Sequence, residues 1–338
     1  KVTRPPIAGL MGAFGAALYA KSLHKDESSM LGLTELENFT HKARAAQCKI
    51  CTNNCKLTIN VFSNSEKYIS GNRCERALGS KERSNLPNAY QYKLERLSKY
   101  KPVKNAPLGR IGIPMGLNMY ENLPFWHTLL SEVGFEVVNS GISTREVYTK
   151  GQHTIPSDTV CYPAKLMHGH IEVLLEQGID NIFYPCMSYN FDEKSGDNCY
   201  NCPVVAYYPE LLKANVSALN NANFYYPYFS LFNRKEFTKR ISSYFNNLFS
   251  IPGKLTKKAV QKAYMEYLRY KNDIIEYGQK AIKYANDNNL NILVLTGRPY
   301  HIDPGINHGI DQLINNLGMV VISEDCISHL ERKQKIQV

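Results

Sequence analysis

From Arg110 onward, short apolar runs alternate with helix-length amphipathic segments, and this alternation constrains the fold more than any other feature of the chain. Ile111-Gly-Ile-Pro-Met115 reads as a strand, Asn122 to Val133 as an amphipathic helix, and Phe135-Glu-Val-Val138 as the next strand. Residues 162–177 read as helix, Asn181-Ile-Phe-Tyr184 as strand, Val204 to Ala214 as helix, and Phe224-Tyr-Tyr-Pro227 as a closing strand. Strands separated by helices of that length form βαβ units, and βαβ units make a parallel sheet. Residues 234–288 are largely helical in pattern, and Asn291 to Thr296 starts a second α/β unit, followed by a glycine turn and a helix from Ile306 to Asn316. The last strand-like run, Met319 to Ile322, has nothing after it to complete a sheet. The chain also opens on Lys1, so it reads as an internal fragment of something longer.

The first third is organised differently. Gly9-Leu-Met-Gly12-Ala-Phe-Gly15-Ala-Ala-Leu18 spaces small residues by three and four, a helix face that lets another backbone come close; simple helix packing explains it as well. Asp26 to Gln47 reads as a polar linker containing a helix. Residues 48–80 read as a compact cysteine-bearing unit, in which Leu57 to Phe62 alternates as a strand, Asn64-Ser65 turns, and Tyr68-Ile69 returns. Residues 81–107 read as a basic, irregular connector.

With 338 residues and 43% apolar content, the chain can bury two or three cores. A formal charge of +10 favours anionic partners such as a phosphate-rich cofactor or an acidic protein. No basic helix stripe or nucleic-acid reading module accompanies it, so no nucleic acid is expected. No run approaches the ~20 apolar residues of a membrane span, and Ile7 to Ala20 lacks the basic leader and cleavage site of a signal peptide. Nine cysteines without a secretory signal point to the reducing cytoplasm, where grouped cysteine means metal or redox chemistry.

The cysteines fall into two groups. Cys48-x2-Cys51-x3-Cys55 is followed by Cys74 in the turn Gly71-Asn-Arg-Cys74-Glu. Four thiolates brought together by a hairpin suit tetrahedral zinc or a four-iron cluster, and spacing does not separate the two. Four protein ligands leave no open position, so this site reads as structural. The second group, Cys161, Cys186, Cys199 and Cys202, is dispersed, but each member flanks a strand of the expected sheet. Loops at the carboxyl ends of parallel strands gather on one edge, where open α/β sheets hold ligands. Cys161 and Cys202 stand at helix starts, where exposed N–H groups and the positive dipole end stabilise a thiolate or an anionic cluster. Buried single cysteines are the alternative. Cys326 reads as a loop thiol. His168 and His170, two apart on a helix, do not share a face, whereas His301 and His308 sit in polar loops and read as ligand contacts. Neither a Walker loop, a dinucleotide fingerprint nor a nucleophile elbow occurs, which counts against a self-contained ATPase or a nicotinamide dehydrogenase.

Several longer motifs carry a family resemblance. Gly116-Leu-Asn-Met-Tyr-Glu-Asn-Leu-Pro-Phe-Trp126, Cys161-Tyr-Pro-Ala-Lys-Leu-Met-His-Gly-His170, Tyr184-Pro-Cys186, Asn201-Cys-Pro-Val-Val205 and the segment from Gly297 to Gly309 resemble the dehydratase-like domain of large proteins related to 2-hydroxyacyl-CoA dehydratases and their activases. The opening glycine-rich helix resembles the last helix of an actin-like activase ATPase domain. The resemblance implies an α/β, parallel-sheet, Rossmann-like dehydratase-type fold, a small four-cysteine metal-binding unit and an ATPase tail. The corresponding organisation is 1–25 ATPase end, 26–47 linker, 48–80 four-cysteine unit, 81–107 linker, 108–250 first α/β domain, 251–288 helical connector and 289–338 the start of a second α/β domain.

The resemblance further implies a four-iron or double-cubane iron–sulfur cluster on Cys161, Cys186 and Cys202, with Cys199 a spare ligand. Zinc or a cluster would occupy Cys48, Cys51, Cys55 and Cys74, and ATP would belong to an upstream domain. Glu121 and His301 are the expected catalytic residues, and Asn118, Tyr120, Arg298 and Tyr300 the expected cofactor- or substrate-binding residues. The implied activity is electron acceptance in a 2-hydroxyacyl-CoA dehydratase-like system, with an activase ATPase as partner in cis or in trans, a CoA thioester as substrate and a dimer as assembly. The alternatives are an ATP-dependent double-cubane-type reductase of small molecules and a non-catalytic zinc-binding assembly module.

Overall fold

The computed structural model describes residues 8–23, 31–49, 54–63, 66–72, 84–193 and 199–330. They divide between two compact units, one within 1–46 and 57–70, the other within 47–56 and 71–338. Among the described residues no helix is long and apolar enough to cross a membrane.

The first unit holds helices α1 (Met11–Ser22) and α2 (Leu33–Glu37) and a three-stranded sheet in the order β1 (His41–Gln47), β2 (Lys56–Phe62), β3 (Lys67–Ser70). Strands β2 and β3 form the expected antiparallel hairpin, with Ile59 opposite Ile69. Strand β1 was not expected: its segment is polar and exposed, and edge pairing to β2 rather than an apolar face makes it a strand. Every residue of α1 is exposed among the described residues, including Phe14, Leu18 and Tyr19.

In the second unit, helix α3 (Ala89–Leu97) occupies the segment read as an irregular connector. Its Asn88 cap accepts from the Tyr90 and Gln91 N–H groups, and Arg96 reaches Glu266 at 2.8 Å and Asp273 at 2.7 Å. These tertiary partners, rather than apolar periodicity, hold the helix in place, and that is why its polar sequence concealed it. Then follow β4 (Arg110–Ile113), α4 (Met119–Val133), β5 (Glu136–Asn139), α5 (Arg145–Gly151), α6 (Tyr162–Glu176), β6 (Asn181–Phe183), β7 (Cys186–Tyr189), α7 (Pro203–Asn215), β8 (Asn223–Tyr225), β9 (Tyr228–Ser230), α8 (Arg234–Phe249) and α9 (Gly253–Asp287). The chain continues through β10 (Ile292–Leu295), α10 (Pro304–Asn307), α11 (Ile310–Asn316) and β11 (Val320–Ser323).

The expected parallel sheet is present in the order β5-β4-β6-β8, with all neighbours parallel. Beyond Pro185 and Pro227, which have no N–H to give the ladder, the β6/β8 pair resumes as the parallel pair β7/β9. Strands β10 and β11 form a second parallel pair. One apolar cluster extends from Ala89 to Cys326 through both pairs, and α9 is its spine rather than a spacer. Buried α9 residues recur as Ala259, Ala263, Tyr267, Tyr270, Ile274, Gly278, Ala281 and Ala285, a stripe of helical period.

Two details differ from the sequence reading. The helix expected from Ile306 to Asn316 is broken at His308 and Gly309, both at positive φ, into α10 and α11. Cys326 is not a loop thiol at the surface; it is buried against α9, where a Cβ on Gly278 would lie 2.5 Å from its own Cβ. Helices α5 and α6 also cross on bare backbone: a Cβ on Gly169 would sit 1.8 Å from the Val147 carbonyl oxygen, and one on Gly151 2.1 Å from the Gly169 nitrogen. Neither neighbour is a flexible side chain. Gly169→Ala is therefore expected to cost about 3 kcal/mol in urea unfolding, because the two helices must separate.

Candidate functional site

In the sheet order β5-β4-β6-β8 the winding reverses between β4 and β6, the position where open α/β sheets leave a crevice at their carboxyl ends. A cavity of about 330 Å³ lies among the segments that leave β4, β7, β10 and β11. Asn118, Tyr120 and Glu121 enter it from the start of α4, Cys202 from the start of α7, and Arg298 and Tyr300 from the turn after β10. Six residues singled out in the sequence, from three separate stretches, thus line one cavity. Sequence reasoning missed Lys93 on α3, Tyr270 and Lys271 on α9, Asn190 and Glu193 after β7, and Glu324 and Asp325 after β11. Their segments carry no motif; only lone charges next to apolar helix positions could have hinted at them.

The charged groups are mostly paired. Lys93 meets Asp325 at 2.7 Å, and Lys271 meets Glu193 at 2.7 Å. Burial works against both an ionised Asp325 and an ionised Lys271. The two lysines nonetheless hold the Asp325 carboxyl below its ordinary value, and Glu121 and Glu193 hold Lys271 above its own. Glu121 differs: burial pushes its carboxyl up against the pull of Lys271, with Glu193 adding to the rise. It accepts a 2.7 Å hydrogen bond from Asn190 Nδ2 and a 3.4 Å one from the Tyr267 hydroxyl. Asn118 gives its Nδ2 to Met187 Sδ at 3.7 Å, which leaves its buried Oδ1 without a partner among the described residues.

His301 does not line the cavity. Its Nδ1 accepts the Arg298 N–H at 3.1 Å, an approach possible because Gly297 has no Cβ, which would otherwise sit 2.1 Å from that nitrogen. It acts on the site by holding Arg298. Behind Tyr120 runs a buried network: the Ser143 hydroxyl donates to Asp303, His170 Nε2 lies 2.9 Å from Ser143 Oγ, and Ser140 Oγ lies 2.8 Å from His170 Nδ1. His168 has other partners, Thr154 and Tyr208, as expected for residues two apart on a helix.

Cys161 and Cys202 are the N-cap residues of α6 and α7, each followed by a proline in the first turn, and both thiols are exposed. Both act on the Tyr300 phenol, which burial raises first and the two thiols raise further. Cys186 is buried at the start of β7, and its thiol is pushed up to about 11 by burial, with Glu210 adding to the effect. The Tyr228 hydroxyl beside it donates to Glu210. Cys199 gives its carbonyl to the Asn190 N–H at 3.0 Å. These thiols suit an iron–sulfur cluster in kind and by their place at one sheet edge, with two at helix N-termini. They do not converge: among the described residues, no three Cys, His, Asp or Glu side chains come together closely enough to hold a metal ion. In the other group, the Cys48 N–H bonds the Cys55 carbonyl at 2.8 Å, whereas Cys51 and Cys74 lie outside the described residues.

The family model described as CoA enzyme activase uncharacterised domain (DUF2229) matches residues 110–327, more than half of the chain and the whole of the cavity apart from α3 and Ser328. The chain belongs to this family. No curated protein and no solved structure matches it. The match begins at β4 and ends just past β11, so the family unit includes both parallel pairs together with the α9 spine.

Proposed function

We propose that this chain is the iron–sulfur, electron-accepting component of a 2-hydroxyacyl-CoA dehydratase-like system, supplied with a low-potential electron by an ATP-driven activase in cis or in trans. The observation that carries the reading is the pair of exposed cysteines that cap α6 and α7, of which Cys202 lines the ligand cavity and both act electrostatically on Tyr300. Cys161, Cys186 and Cys202 would hold the cluster, which when bound supplies a one-electron centre.

The chain's own residues prepare the surroundings. The two helix N-termini favour negative charge at Cys161 and Cys202. Burial shifts Glu121 at the cavity toward its protonated form, and His301 holds the Arg298 backbone. The Cys48 to Cys74 group would form a separate structural site holding zinc or a second cluster. A cavity of about 330 Å³ is near the lower end for small-molecule sites, which favours the reductase of small molecules as the second reading.

Strictly anaerobic purification with iron, sulfide and zinc analysis and EPR tests the proposal. Iron and sulfide are expected, and both should be lost from the second site in a Cys161→Ser, Cys186→Ser, Cys202→Ser variant. They should persist there when Cys48, Cys51, Cys55 and Cys74 are replaced instead. An iron-free protein, or a triple variant with the wild-type iron content and spectrum, would overturn the reading.

A further inference from the structure

We propose that the groove between α8 and the start of α9 docks an acidic segment of a partner protein, its carboxylates on Arg234, Lys235, Lys239 and Lys257. This face shares no residue with the ligand cavity, so docking there is independent of whether a cluster is bound.

Positive charge is concentrated on these two helices. Residues 234–262 hold eight Lys and Arg against Glu236 alone, the larger part of the chain's formal +10. Among the described residues, only Lys262 of the eight has an ion-pair partner, Glu132 at 2.7 Å. The Arg234 guanidinium lies 4.7 Å from the centre of the Tyr264 ring, which fixes its place without neutralising it. The cations also stand at the unfavourable helix ends. A helix N-terminus suits acidic residues, yet α8 opens on Arg234 and Lys235. Helix α9 has Lys254, Lys257 and Lys258 near its start, no acidic residue in its first turn, and a cap, Pro252, with no side-chain acceptor. Cations gathered against two helix dipoles cost free energy that a bound anion recovers, and such a breach of a local rule marks a functional surface.

The shape of the groove selects the occupant. The short link Ser250 to Pro252 turns α9 back along α8, so the two basic stretches, neither of them a stripe by itself, come together. The groove holds about 810 Å³ and is walled from Arg234 to Asn246 on α8 and by Gly253 and Lys257 on α9. That stretch of α8 is roughly 18 Å long at the helical rise of about 1.5 Å per residue. No carboxylate lines it among the described residues. The Thr238 and Ser242 hydroxyls donate to the backbone carbonyls of Arg234 and Thr238, which leaves methyl and methylene groups between the cations. An elongated channel with cations on both helices fits a polypeptide with spaced carboxylates, and a lone phosphate would fill only a fraction of it. No aromatic side chain lines it to stack a base, which disfavours single-stranded nucleic acid.

The test is an anisotropy titration of the full chain against a labelled peptide of about twenty residues alternating Glu and Ala. An oligothymidylate of similar charge, phosphatidylserine vesicles and inorganic phosphate serve as comparisons. The peptide is expected to bind saturably, to weaken as salt rises, and to slow amide exchange in the first turn of α9, Gly253 to Lys257. The triple variant Lys235→Gln, Lys239→Gln, Lys257→Gln, three exposed changes that spare the fold, should weaken binding at least about tenfold. The control Lys99→Gln, Lys104→Gln, Lys283→Gln removes the same charge from exposed positions outside the groove and should bind like wild type. Unfolding midpoints are checked for both. Equal weakening by the two triple variants would reveal mere attraction of opposite charge and overturn the proposal. Tighter binding of the oligonucleotide or the vesicles, displacement of the peptide by equimolar phosphate, or no saturable peptide binding would overturn it too. Iron and sulfide content is read on separate samples, so failure here leaves the cluster reading standing, and the reverse holds too.

Discussion

Asp303→Ala is expected to destabilise the protein by about 3 kcal/mol and to loosen the turn that carries Arg298 and Tyr300. Asp303 is fully buried, caps α10 by accepting the Gly305 N–H at 2.9 Å, and accepts the Ser143 hydroxyl. Alanine would strand both donors and leave the Tyr120 hydroxyl, which lies against Asp303, facing a void. Asp303 is also the clasp between the β5 loop and the segment after β10, parts of the chain that are far apart in sequence. Urea unfolding measures the first effect, and amide hydrogen exchange at Tyr300 to Ile302 the second. Asp303→Asn, which still accepts from Ser143, should lose less than half as much. A loss below about 1 kcal/mol for alanine would show that the clasp is not needed.

Acid is expected to unfold the protein through His170. With Asp303 as a carboxylate, Ser143 must give its only hydrogen to it and can only accept from His170 Nε2–H. His170 Nδ1 is then an acceptor for the Ser140 hydroxyl, while Ser140 Oγ in turn accepts the Met115 N–H at 2.8 Å. The network fits neutral imidazole, and an imidazolium would have no acceptor at Nδ1. Burial pushes His170 down to about 3 from an ordinary 6.5. The unfolded chain therefore binds this proton first as the pH falls. Stability is fully present above 6.5 and declines as the pH falls toward 3. His168, pushed down to about 4 by burial, adds in the same direction. Asp303, raised by burial, opposes them as the pH falls from its own value to the ordinary carboxylate value. Urea midpoints measured from neutral pH downward should fall steeply in wild type and much less in His170→Gln, at a lower starting stability. Parallel curves would place the acid lability elsewhere.

Much of the α/β body was legible because its signals are local. Ile111 to Ile113, Asn181 to Phe183 and Phe224 to Tyr225 are apolar runs bounded by Gly, Pro and Asn, and the helices between them are amphipathic, so strand type and parallel pairing follow. The prolines after Cys161 and Cys202 marked two helix starts for the same reason: proline suits the first helical turn. Helix α3 and strand β1 gave no such signal. Their polar residues are ordered by partners elsewhere in the fold, Glu266 and Asp273 for Arg96 and the edge of β2 for His41 to Gln47.

The site divides along the same line. Asn118, Tyr120, Glu121, Cys202, Arg298 and Tyr300 could be named from motifs, since each stands just after a strand or at a helix start and the topology sends those positions to one sheet edge. Lys93 and Lys271 could not, because their helices reach the cavity only through long-range packing of α3 and α9 on the sheet. Tertiary structure alone also decided the surroundings of each cysteine. Cys161 and Cys202 are exposed at their helix caps and both act electrostatically on Tyr300, whereas Cys186 is buried near Tyr228 and Glu210. The sequence by itself determined the strand and helix types, the sheet edge and the thiols that reach it, because propensity, capping and periodicity act within a few residues. Side-chain direction at that edge, the pairing of its charges and the size of the cavity were left to the packed fold, because they depend on burial and on partners more than a hundred residues away.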